Sequence, residues 1–135
     1  MRTRHKILVL LCALFFATLA TASEEGVLVL GSFHIESPGI GASGPVAISG
    51  TQGPKGLRSL TVEAFGKKYA LNAAQLKELS GILINNVQLS YEAGYKELGG
   101  RTIYIQFAQG FTSGIVTRKL VVITAGGTVK VGVGP

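Results

Sequence analysis

The chain has 135 residues, 47% of them hydrophobic and only 15% charged, with 13 Lys and Arg against 7 Asp and Glu. Residues 1–22 read as a secretory signal, and 135 less these 22 leaves 113 residues, enough for one domain with a modest core. A multidomain enzyme is not expected.

The signal rests on three features in order: the basic stretch Met1-Arg2-Thr3-Arg4-His5-Lys6, the apolar run 7–20, and Ala20-Thr21-Ala22 ahead of Ser23-Glu24-Glu25. That order predicts cleavage after Ala22. The apolar run covers 14 positions, short of the roughly 20 needed to cross a bilayer, so no membrane span is expected after cleavage. Cys12 follows Val9-Leu10-Leu11 rather than a small residue, which argues against a lipid anchor. With the signal go the only Cys, the only Met and three basic residues, leaving ten cations against seven anions, a formal charge of +3. That is mild, and the pairs Lys67-Lys68 and Arg118-Lys119 stand far apart, so no nucleic-acid partner is expected. The core must be sufficient without disulfides, and no Asn-x-Ser/Thr acceptor occurs. The expected location is periplasmic or secreted, with a bacterial source favoured.

Residues 23–135 form a single β-rich domain, with a Gly-rich β and loop segment over 23–56 and a hairpin, helix and meander over 57–135. In the first segment, β-like runs at 27–35 and 46–49 are separated by Gly- and Pro-rich loops. Leu60, Val62 and Ala64 then alternate with polar neighbours as a strand, and Gly66-Lys67 suits the two central positions of a type II′ turn into 68–71. Asn72 is a good N-cap, with Gln75 completing a capping box and Leu71 and Leu76 placed as a hydrophobic staple. A helix of two to three turns is expected near 73–80, with Ala73, Leu76 and Leu79 on one side and Gly81 ending it. Period two returns in runs at 87–92, 103–108, 115–124 and 128–133, a four-strand meander. The third run is apolar on both faces in its second half, as in a strand covered on both sides. The fold class is therefore α+β: one antiparallel sheet of five to seven strands with one short helix.

Residues 23–135 hold no Asp, no Cys and a single His, His34. That leaves too few ligands for a metal site, and no cofactor is expected. His34 and Glu36 share a strand face and suit a hydrogen-bonded pair; Ser32, Ser37 or Ser43 would complete a Ser-His-Glu set, without the Gly-x-Ser-x-Gly elbow of a hydrolase. Gly39-Ile40-Gly41-Ala42-Ser43-Gly44 has dinucleotide-loop spacing, but Pro45 and β-like residues follow where a helix should begin, so it reads as a loop. Glu63, Glu92 and Glu97 fall on polar faces or loops as surface carboxylates, with Glu92 and Arg101 placed for a cross-strand ion pair.

The binding candidates are Tyr95, Lys96, Glu97 and Leu98 at a hairpin tip, Tyr104 on the polar sheet face and Phe111 in the next loop, because Tyr and rigidly held loops are favoured at interfaces. These features describe an exported, non-catalytic protein that docks on another protein, as an inhibitor or immunity-type partner of an envelope-active enzyme does. The alternative is a structural or assembly component of the cell envelope pairing through a sheet edge at 128–135. A third reading is a small enzyme using His34 and Glu36.

Overall fold

The computed structural model describes residues 28–39, 41–93, 101–111, 113–114 and 116–134. They form β1 (Ser32–Ser37), β2 (Val46–Gly53), β3 (Gly56–Ala64), β4 (Lys67–Ala70), helix α1 (Ala73–Glu78), β5 (Asn86–Glu92), β6 (Thr102–Gly110), β7 (Val116–Thr124) and β8 (Val129–Val133). The signal segment lies outside the described residues.

The class is α+β and the C-terminal four-strand meander is present, but the strands number eight among the described residues and divide into two sheets. One runs β1-β2-β3-β4 and the other β5-β6-β7-β8, with every neighbouring pair antiparallel. A strand with one apolar face needs only one cover. Two such sheets facing each other satisfy all the alternating runs at once. The Gly-rich stretch 50–56 also belongs to the ladder rather than to a loop: Gly53 pairs with Gly56 across the turn residues Pro54 and Lys55.

The inner faces meet in one core. Val46, Ile48, Leu60 and Val62 of the first sheet pack with Ile103, Ile105, Phe107, Val121 and Ile123 of the second. The Phe33 and Phe107 rings lie 6.4 Å apart at 51°, a tilted arrangement within the favourable range for aromatic pairs. Phe33 also covers its cross-strand partner Gly50, where a Cβ would stand 2.4 Å from the ring. The outer face of the first sheet is polar, with Ser32, His34, Glu36, Ser49, Thr51, Ser59 and Glu63 exposed.

Helix α1 starts at Ala73 with the complete capping box, Asn72 and Gln75 each accepting from the other's backbone N–H at 2.9 Å. It is shorter than the pattern suggests, six residues, because the chain leaves helical pairing after Glu78. Leu79 is buried and Leu76 half-buried, while Ala73 faces solvent. Gly81, at φ +89°, then redirects the chain into the crossover 82–85, where Ile82 and Ile84 enter the core. The β3–β4 turn is also shifted by one residue from expectation: Ala64 pairs with Lys67, so Phe65 and Gly66 are central, both at positive φ (53° and 71°). That is the type I′ signature.

Three carboxamides fasten the crossover. Gln52 bonds both the N–H and the carbonyl of Ile84, Gln109 accepts from Leu83 N–H at 3.0 Å, and Asn85 exchanges two bonds with the Gly110 backbone. A polar chain passing between two sheet edges thereby has its backbone groups satisfied.

Candidate functional site

Of the binding candidates, Tyr95, Lys96, Glu97 and Leu98 lie outside the described residues. Tyr104 and Phe111 are described and are not neighbours: Tyr104 sits within β6 and Phe111 beyond its far end, about 20 Å away at the rise of a strand. Phe111 is 40% exposed.

Tyr104 belongs to the outer face of the second sheet. Strand parity sends Ile103, Ile105, Val121 and Ile123 into the core, so Tyr104, Gln106, Leu120 and Val122 point outward. Tyr104 pairs with Val122, and Gln106 with Leu120, making one contiguous half-exposed patch in the middle of the sheet. In the second half of β7, Leu120 and Val122 are thus half-exposed on this face, while Thr124 and its partner Thr102, of the same parity, are buried at its end. Lys130 pairs with Val122 beside the patch, and Arg118 pairs with Ala108 at its end. Among the described residues neither cation has a carboxylate partner. The Tyr104 hydroxyl donates to Glu92 Oε2 at 2.9 Å, which fixes the ring on the face.

The expected Glu92–Arg101 pair is absent from the described contacts. Glu92 pairs with Thr102 and shares its outward parity, whereas Arg101, one residue earlier, points toward the first sheet. There its guanidinium lies 5.7 Å from the centroid of the Phe65 ring and donates to Ser43 Oγ at 3.2 Å. Ser43 is buried in the 3-10 turn Gly41–Ser43, and its hydroxyl is 2.9 Å from that of Tyr91 on β5. The Gly-x-Gly-x-x-Gly stretch is accordingly a loop that packs over the sandwich end, with Gly39, Gly41 and Gly44 at positive φ and β2 following it.

On the opposite outer face, His34 and Glu36 form the expected pair, Nε2 to Oε1 at 2.8 Å. The serine joining them is Ser49, at 2.7 Å from Nδ1, and not Ser32, Ser37 or Ser43. A carboxylate only accepts, so Nε2 carries the proton; in the neutral ring Nδ1 then accepts from the Ser49 hydroxyl. Serine, imidazole and carboxylate stand in the order of a hydrolase triad. Their setting differs: both bonded side chains of the His34–Glu36 pair are more than half exposed, and Ser49 lies mid-strand in β2, paired with His34 on one side and Thr61 on the other. Ladder pairing occupies the neighbouring amides, so among the described residues no backbone N–H pair is free to hold an oxyanion there. A shallow trough of about 400 Å³ runs beside them, walled by Ser32, Thr51, Ser59 and Thr61. Glu63 pairs with Lys68 at 3.6 Å as surface charge.

Among the described residues no group of three or more His, Cys, Asp or Glu could hold a metal ion, and no helix is long and apolar enough to cross a membrane. Leu120, Val122, Tyr91 and Ser49 escaped the sequence reading, and Ser43 entered it only as a candidate serine for the His34–Glu36 pair. For Leu120 and Val122 the signal was present, since outward apolar residues in an antiparallel strand require either a cover or a partner. The other three become neighbours only through pairing of distant strands. Compared with protein-family models, with curated proteins and with solved structures, the chain has no significant match.

Proposed function

We propose that this is an exported, non-catalytic binding protein of the bacterial periplasm, docking on another protein through the outer face of its second sheet. The observation that carries the reading is the patch Tyr104–Val122–Leu120–Gln106, half-exposed in the centre of a sheet and flanked by the cations Lys130 and Arg118, which have no carboxylate partner among the described residues. An apolar centre with a charged rim and a fixed Tyr is the composition of a protein interface. The rim selects a partner whose apolar surface is bordered by carboxylates, and an inhibitor or immunity-type complex with an envelope enzyme fits that description. Replacing Leu120 and Val122 by Ser and Thr should abolish partner binding while the thermal midpoint stays within a few degrees; retained binding removes this face from the account.

The assembly reading is favoured by a different feature, the position of β8 at a sheet edge, where among the described residues it pairs with β7 alone. Edge strands can recruit a further strand from another chain. Concentration-dependent mass in light scattering, abolished by deleting residues 128–135 without unfolding the rest, supports it, and a monomer at every concentration counts against it.

A further inference from the structure

Arg101 at the end of the sandwich has more hydrogen-bonding capacity than the fold uses. A guanidinium carries five N–H donors, and among the described residues one of them is engaged, on Ser43 Oγ, in a side chain otherwise exposed to solvent. No carboxylate approaches it among the described residues. The group is nevertheless held in place, by Ser43 on one side and by the Phe65 ring on the other. Phe65 has φ +53°, a conformation disfavoured for a bulky side chain and found where surrounding structure over-determines it.

The hydroxyls beneath Arg101 are in the same state. Ser43 and Tyr91 share one hydrogen bond and have two hydroxyl hydrogens between them, so whichever donates, one O–H remains without an acceptor among the described residues. Ser43 is only 8% exposed and is satisfied when it donates to Tyr91 while accepting from Arg101, which places the spare O–H on the half-exposed Tyr91 at the sandwich end. Ser43 and Tyr91 line a cavity of about 130 Å³ whose apolar wall is Val46, Leu89 and Ile103; Arg101 stands outside this lining and meets it at Ser43.

We infer that this end of the sandwich binds a carboxylate carried on a short branched aliphatic group. The carboxylate takes the spare N–H groups of Arg101 and the surplus hydroxyl hydrogen, and the aliphatic group fills the cavity against Val46, Leu89 and Ile103. One cation and one hydroxyl match a monoanion with two oxygens; a phosphate dianion would want more positive charge and would leave the apolar wall unused. Two sources supply this chemistry, a free branched-chain acid and the C-terminal residue of a polypeptide ending in Val or Leu. The site shares no residue with the outer face of the second sheet, so either proposal can fail without the other.

The test is a nuclear magnetic resonance titration of the purified protein, followed at backbone amides and at the Arg101 Nε–H. The probes are isovalerate, the free acid of N-acetyl-Ala-Val, the C-terminal amide of the same peptide, and inorganic phosphate. Saturable shifts at Ser43, Tyr91, Leu89 and Arg101 with an acid, and none with the amide or with phosphate, are expected. Tight binding of isovalerate assigns the site to a free acid, and binding of the peptide acid alone assigns it to a chain terminus. Arg101→Gln should weaken binding by about tenfold or more, the loss typical of a charge-assisted hydrogen bond. Leu89→Phe, which fills the cavity and leaves the polar groups in place, should do the same. No saturable shift with either acid, equal affinity for the amide or phosphate, or unchanged binding in both variants overturns the inference.

Discussion

The carboxamide of Gln52 imitates a strand against Ile84: Oε1 accepts the Ile84 N–H at 2.7 Å while Nε2 donates to the Ile84 carbonyl at 3.1 Å and to the Leu30 carbonyl at 2.7 Å. A register shift between Thr51 and Gln52 in β2 is what aims this side chain at the crossover. One residue of the first sheet thereby fixes the path by which the chain enters the second. Gln52→Ala leaves the Ile84 amide and the Leu30 carbonyl without the partners they have here, while the Ile84 carbonyl keeps the Leu30 N–H, and should lower stability by about 2–3 kcal/mol in urea unfolding. Gln52→Glu should cost at least as much, because a carboxylate cannot donate to two carbonyls. A loss below about 0.5 kcal/mol in both variants, the range of an ordinary surface change, would show that the crossover is held by Ile82 and Ile84 alone.

Gly39 is a position where only glycine fits. Its φ is +76°, and an added Cβ would stand 1.6 Å from the Gly44 carbonyl oxygen. Gly39→Ala must therefore open the loop that carries Ser43, at a cost of about 2–4 kcal/mol, the range of severe backbone and packing conflicts. Gly41, also at positive φ but with open space at its Cβ, should lose less on substitution by Ala, about 1 kcal/mol. Thermal denaturation of the two variants side by side checks the order.

Ser49 tests the distinction between a triad order and a triad. Because its surroundings supply no free amide pair, an organophosphonate should leave Ser49 unlabelled, as judged by intact mass. Labelling at Ser49 that disappears in His34→Ala would support the hydrolase reading and contradict the binding one. On stability the His34→Ala change should be small, about 0–1 kcal/mol, since the pair it breaks is solvent-exposed.

Local signals in the sequence were reliable for the helix N-cap and for the alternation of the strands. The capping box of Asn72 and Gln75 and the alternation of β5 and β6 need only neighbouring residues, and they stand where the pattern puts them. The division into two sheets was not legible, because it depends on the crossover 82–85, whose direction is set by Gln52, Asn85 and Gln109 acting over long separations. The His34–Glu36 pair was readable from its i, i+2 spacing, whereas its serine was not, since Ser49 arrives through the register of β1 on β2. The turn at Phe65 was misplaced for a related reason: local preference puts glycine at the strained position, and the register of β3 on β4 puts Phe65 there as well.

The central claim is that the outer face of the second sheet binds a protein. Its most direct test is quantitative capture from the envelope extract of the source organism with three immobilised forms: the unaltered protein, Leu120→Ser/Val122→Thr, and His34→Ala. The account predicts one stoichiometric partner with an acidic, apolar surface, held equally by the unaltered protein and by His34→Ala, and lost from the Leu120/Val122 variant. A partner retained equally by all three forms, or no stoichiometric partner on the unaltered protein, would contradict it.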